Sequence, residues 1–337
     1  MKFNIIYTPG TVAYLRLFVY GLLRWSDCSF RLVANGCSTD EASMLERLCH
    51  ESPRLEFMRL PTRQGIMPHG HALNLLQSME RSERFCFMDS DILATGEFLA
   101  EIVSRLEGFA AVFSGGRIGV KDEGIRVPEA FEPIAPLSGE APDGWFLGKT
   151  FFAIYDNRML AEVIQSTGVG FEIRRWEEVP EQCLDQLRRM GLRGVAEGCD
   201  TGKALNLILL ARGERLAWVD SLSLAHIGGV STRVLYKGSL RRRIRFQARR
   251  MLGHMRRALA NPLTASLRPR ARAEDLVTGY FYGLLRSLFE GQPRPALPEI
   301  DEPEIQAHIQ SVARHIVELY SEFGHRIHSN GSEMPCW

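Results

Sequence analysis

The first 115 residues alternate between short strand-like runs and segments with helical spacing, a pattern that few folds accommodate. Five runs read as strands: KFNIIYT (2–8), FRLVA (30–34), LEFMRL (55–60), RFCFM (84–88), which reads as buried, and FAAVFSG (109–115). Between the first two, Val12, Leu15, Phe18, Val19, Leu22 and Leu23 recur at the spacing of one helix face, predicting a helix over 12–25. Ser38 with Glu41 forms a capping box that opens a helix running to about His50. Residues 71–79 and 97–106 are helical as well. Strands alternating with helices imply parallel βαβ units, with helices covering the sheet. Farther on, TFFAIY (150–155), RLAWV (215–219) and SLSLAHI (221–227) are strand-like, and 205–213 is a helix ending at Gly213.

RFCFM stops abruptly at Asp89-Ser90-Asp91. A buried strand that ends in two carboxylates delivers them to the C-terminal edge of a sheet, where open α/β sheets bind ligands. Two hard oxygen ligands one residue apart suit Mg²⁺ or Mn²⁺, ions that usually also grip substrate phosphates. The residues therefore point to a metal-dependent enzyme acting on a nucleotide-linked substrate. There is no G-x-G-x-x-G and no G-x-x-x-x-G-K-[ST] sequence, so ordinary dinucleotide and P-loop readings lack support.

At 337 residues the chain is long enough for one large domain plus an appendage. Its net charge of +1 advertises no polyanion partner, and nucleic-acid binding is not expected. Seven cysteines with no CxxC pair suit a reduced, cytoplasmic setting better than a disulfide framework. The N-terminal apolar stretch is too short for a signal peptide, and no run of ~18 apolar residues predicts a spanning helix.

Five segments in order resemble the family 2 glycosyltransferases of GT-A fold: VANGCSTD (33–40), PHGHALN (68–74), FMDSDI (87–92), CDTGKALNLILLARG (199–213) and SLAHIGGVS (223–231). The resemblance spans about residues 2–231. It implies a Rossmann-like, mixed, mainly parallel sheet flanked by helices, and an inverting transfer of sugar from a nucleoside-diphosphate sugar to an acceptor hydroxyl. The acceptor class stays open among glycans, lipid-linked molecules and small molecules.

By this resemblance, Asp91 and His226 are ligands of Mn²⁺ or Mg²⁺, and Asp89 binds the ribose or the water shell of the ion. Asp200 matches the acid that serves as general base, with Glu197 as the next candidate; helix capping is its ordinary alternative. Cys199 and Gly202 stand where the family usually has acids. Thr8, Asn35, Gly70 and Asn74 line the nucleotide-sugar site. Asn35 or Ala34, depending on the alignment, replaces the acid that the family commonly sets against the base. His69 and His71 are nucleotide neighbours or surface residues. Trp145 and Phe146 face the acceptor or pack under the sheet edge.

Residues 232–337 form an expected helical appendage to a main domain at 1–231. Between Arg233 and Arg257 there are ten Lys or Arg and no acid. Two readings stay open for the basic amphipathic segment 233–259: a solvated helix packed on the main domain, or a peripheral contact with an anionic inner membrane face. Two other functions also stay open, a binding or scaffold protein that keeps the fold without turnover, and a nucleotidyltransferase.

Overall fold

The computed structural model describes residues 1–62, 65–114, 116–117, 151–174, 178–189, 201–219, 221, 223–237, 268–301 and 303–329. Its strands are β1 (Lys2–Tyr7), β2 (Ser29–Ala34), β3 (Leu55–Arg59), β4 (Arg84–Asp89), β5 (Ile92–Ala94), β6 (Ala111–Ser114), β7 (Gly116–Arg117), β8 (Phe152–Asp156), β9 (Leu216–Val219) and β10 (Leu224–His226). The helices of the first half are α1 (Val12–Leu15), α2 (Phe18–Trp25), α3 (Thr39–Cys49), α4 (His69–Met79) and α5 (Leu99–Ser104). Those that follow are α6 (Asn157–Thr167), α7 (Glu181–Arg189), α8 (Lys203–Ala211), α9 (Val230–Lys237), α10 (Arg268–Glu290) and α11 (Pro303–Ser329).

Seven strands form one sheet in the order β3-β2-β1-β4-β8-β6-β9. All run parallel except β8, which pairs antiparallel with both β4 and β6. This is the mixed, mainly parallel sheet expected. The strand order reverses between β1 and β4: the chain builds outward through β2 and β3, then returns to pair β4 with the other side of β1. Such a switch point leaves a crevice at the carboxyl ends of the two strands. A second, small sheet, β5-β10-β7, lies at that end.

Alternation along the strands splits the core in two. Phe3, Ile5, Tyr7, Phe30, Leu32 and Met88 face one layer, with α1, α2, α3, α10 and α11. Ile6, Val33, Phe85 and Phe87 face the other, with α4, α6, α7 and α8. The central strands are covered on both faces, which is why they read as continuous apolar runs. Each fully buried aromatic contributes about 1.5–3 kcal/mol of transfer free energy.

Two details differ from the sequence reading, and the C-terminal helices add a third feature. The helix expected over 12–25 divides in two, because Val19 N–H donates to the Arg16 carbonyl (3.3 Å) and Tyr20 N–H to the Leu17 carbonyl (3.2 Å), tightening the turn between α1 and α2. The helix α6 was not predicted, although Asp156 caps it through the Met159 N–H (3.0 Å) and Gly168 ends it with φ 68°. The last helices join the core directly: Tyr20 stacks on Phe323 at 4.4 Å, and Phe281, Leu284 and Ile316 are fully buried with the strand residues of the first layer. The capping box of α3 is present with both of its hydrogen bonds. Among the described residues, all cysteines are free thiols and no helix is long and apolar enough to cross a membrane.

Candidate active site at the carboxyl edge of the sheet

Register brings the acidic pair to the switch point. Asp89 is the last residue of β4 and pairs with Ile6 of β1, two residues before Thr8. Asp91 leads into β5, which pairs antiparallel with β10 so that His226 stands opposite Ile92. The Ile227 N–H also donates to the Asp91 carbonyl (3.1 Å). Two segments 135 positions apart are thereby locked side by side.

The side chains converge. His226 Nε2 lies 3.1 Å from Asp91 Oδ1 and 3.7 Å from Asp89 Oδ2. One donor atom from each of the three residues lies within 4.8 Å of the others. Asp91 is buried, while Asp89 and His226 are partly open to solvent. The Asp89 carboxyl is held well above the ordinary carboxylate range, first by desolvation, then by the charge of Asp91, with His226 acting in the opposite direction. Two confined carboxylates repel each other, and a divalent cation between them would relieve that repulsion. Cis ligands of an octahedral ion at about 2.1 Å stand about 3 Å apart, close to the His226–Asp91 separation. The donor set of two carboxylates and one imidazole suits Mn²⁺ and accommodates Mg²⁺. Phe151 stacks on the His226 ring, with centroids 4.3 Å apart, and its carbonyl accepts from the Asp89 N–H (2.7 Å).

Of the other residues expected at the site, Thr8, Asn35, Gly70, Asn74 and His69 are described, each with its own contacts. Thr8 Oγ1, at the end of β1, is buried and has no hydrogen-bond partner among the described residues. Asn35 follows β2 and is buried; its Nδ2 donates to the Met67 carbonyl (2.8 Å), while its Oδ1 accepts from the Met67 N–H (2.8 Å). Both ends of that amide thus hold the loop before α4. Gly70 and Asn74 of α4 contact the backbone of residues 170–172. His69 Nε2 is 3.9 Å from Asp89 Oδ1, and its ring meets Phe87 edge-on. Asp200, Glu197, Cys199, Trp145, Phe146 and most of 233–259 lie outside the described residues.

Sequence reasoning missed three contributors. Phe151 carries no signal as a histidine support, since its partner is distant in the chain. Glu41, read as a capping residue, also accepts from the Gly10 N–H and so fixes the loop just after Thr8. The Gly170-Phe171-Glu172 segment lies beside α4, where the chain pattern gave no indication of it.

No protein family matches the chain, and no curated protein matches its sequence. Solved structures give distant likenesses. The mannosyltransferase PcManGT from Pyrobaculum calidifontis, in complex with GDP-Man and Mn²⁺, is 14% identical over 93% of this chain and 86% of its own, with a TM-score of 0.42. Residues 1–349 of S. aureus TarS are 16% identical over 98% and 87% respectively, with a TM-score of 0.40. The galactosyltransferase LgtC, in complex with donor and acceptor sugar analogs, is 11% identical over 66% and 74%, with a TM-score of 0.37. Likenesses this distant assign no donor, ion or acceptor to this chain.

Proposed function

We propose that the chain is a divalent-metal-dependent glycosyltransferase of GT-A type. It would move a sugar from a nucleoside-diphosphate sugar to an acceptor hydroxyl, with inversion at the anomeric carbon. The observation that carries this reading is the convergence of Asp89, Asp91 and His226 at the β1/β4 switch point. Asp91 and His226 would hold Mn²⁺ or Mg²⁺, with Asp89 beside them. Such an ion stabilises the charge that grows on a departing diphosphate.

The rest falls to the residues of the chain. The Thr8 hydroxyl, without a partner among the described residues, would hydrogen-bond the nucleotide at the end of β1. The Asn35 amide keeps the loop before α4 in place around that site. Asp200, just before α8, would accept the proton of the acceptor hydroxyl as its oxygen attacks the anomeric carbon in line. The Cys199 next to it removes the neighbouring acid that the resembling family usually has, leaving Asp200 as the single carboxylate of that pair.

The test is nucleotide release from UDP-glucose, UDP-N-acetylglucosamine and GDP-mannose, with Mn²⁺ and then with chelator. Release that requires the ion supports the reading. Ion-dependent binding without release from any donor, in the presence of mixed acceptors, would instead favour a binding protein that keeps the fold.

A further inference from the structure

Glu41 holds two loops at once. It lies in the first turn of α3, and its Oε1 accepts from the Gly10 N–H of the loop between β1 and α1. Its Oε2 accepts from the Ser38 N–H (3.0 Å) and from the Ser38 hydroxyl (3.1 Å), in the loop between β2 and α3. The capping box uses only this second oxygen. The bond to Gly10 reaches 31 positions back along the chain and does nothing for the end of the helix.

The loop it reaches is built around the Thr8 backbone. The Thr8 N–H donates to Thr11 Oγ1 (3.2 Å), and the Thr8 carbonyl accepts from the Thr11 hydroxyl (2.7 Å) and the Thr11 N–H (3.1 Å). These bonds leave the buried Thr8 hydroxyl without a partner among the described residues. The loop is joined to the cluster of Asp89, Asp91 and His226 on two sides. In β1, Ile6, two residues before Thr8, pairs with Asp89. On the other side lies α9, which starts four residues after His226: a Cβ on Gly10 would stand 2.2 Å from Val234 Cγ1. Gly10 also has φ 80°, so both the turn and the approach of α9 require glycine there.

We propose that Glu41 is a positioning residue for nucleotide binding. One carboxylate ties the loop after β1 to the loop after β2, and so sets the Thr8 hydroxyl in place before a ligand arrives. The nucleotide rests on the proposed function; the tie between Glu41 and Gly10 does not. A carboxylate suits the task because it only accepts, and each of its oxygens here faces a backbone N–H. Without the tie, binding must also order the loop, and that cost is taken from the affinity.

The experiment compares wild type with Glu41→Ala, Glu41→Asp and Ser38→Ala. Glu41→Asp keeps an acid in the first turn of α3 but is too short to hold both loops, so it carries the test if Glu41→Ala fails to fold. Ser38→Ala removes the cap hydroxyl and leaves the bond to Gly10 in place. Two readouts are taken: amide hydrogen exchange of the peptide covering 8–17, and calorimetric affinity for UDP and for GDP in Mn²⁺. Both Glu41 variants are expected to exchange faster in that peptide and to bind nucleotide about 10-fold more weakly, the worth of one hydrogen bond to a charged group. Ser38→Ala should lower the urea midpoint alone. Unchanged exchange and affinity in both Glu41 variants overturn the proposal. So does an affinity loss in Ser38→Ala as large as in Glu41→Ala, which would make Glu41 a cap only, and so does faster exchange with affinity unchanged. If wild type binds neither nucleotide, the proposed function fails, and the exchange comparison alone then decides whether the tie exists.

Discussion

His226 Nε2 stands 3.1 Å from Asp91 Oδ1 because β10 and β5 pair antiparallel, with His226 opposite Ile92. The imidazole is held in that position from behind by the Phe151 ring. Support of this kind governs how well a ligand is oriented toward an ion. Phe151→Ala is therefore expected to weaken Mn²⁺ binding by about 10-fold, the low end of what loss of a ligand's support costs. Titration of the protein with Mn²⁺, followed by calorimetry, measures it. An affinity equal to wild type would make the stacking incidental.

Asn35→Asp tests the loop before α4. The carboxylate would keep the acceptor facing the Met67 N–H but turn an oxygen toward the Met67 carbonyl, where Nδ2 now donates. Losing that hydrogen bond at a buried site costs about 1–3 kcal/mol. The urea midpoint should fall accordingly, even though the substitution supplies the acid common in the resembling family. A midpoint unchanged from wild type would mean that the loop does not depend on this amide.

The C-terminal helices should be inseparable from the stability of the sheet. Phe281 of α10 is fully buried in the same layer as Phe3, Phe30 and Leu15. Phe281→Ala should cost about 3–5 kcal/mol, read as a lower unfolding midpoint with a single transition. Two transitions, with only the first shifted, would indicate that residues 268–329 unfold on their own.

Most of the legible parts of the fold were its buried strands. Strands β1, β2 and β4 could be read to within about a residue because strands covered on both faces are near-continuous apolar runs, and the edge strand β3 because Leu55, Phe57 and Met58 mark it despite the exposed Glu56 and Arg59. The α3 start was legible because Ser38 and Glu41 are a local pair. The site was legible only in pieces. Asp89 and Asp91 announced themselves at the end of a strand, but nothing local to residues 92–94 signals β5, and its pairing with β10 joins distant segments. His226 therefore entered through resemblance alone. Gly70 and Asn74 were expected beside the nucleotide; their contacts with residues 170–172 depend on a segment about 100 positions away, for which the sequence pattern has no signal.

Asp200→Asn should keep nucleotide bound while losing transfer. The shapes are nearly the same, and the amide is not a useful base. General-base assistance is worth about 10²–10⁴-fold in rate. Parallel measurement of UDP affinity and nucleotide release separates the two effects. A near-native rate in Asp200→Asn would reduce that residue to a helix cap and move attention to Glu197.

The most direct measurement is calorimetric titration of UDP and of GDP into the protein, first with Mn²⁺ and then with chelator, for wild type, Asp91→Ala and His226→Ala. The account predicts tight binding of at least one nucleotide to wild type only in Mn²⁺. It predicts that Asp91→Ala abolishes the ion-dependent part, and that His226→Ala weakens it less, because one ligand of several is lost. Equal nucleotide affinity in Mn²⁺ and in chelator, or an Asp91→Ala protein that binds as wild type does, would contradict it.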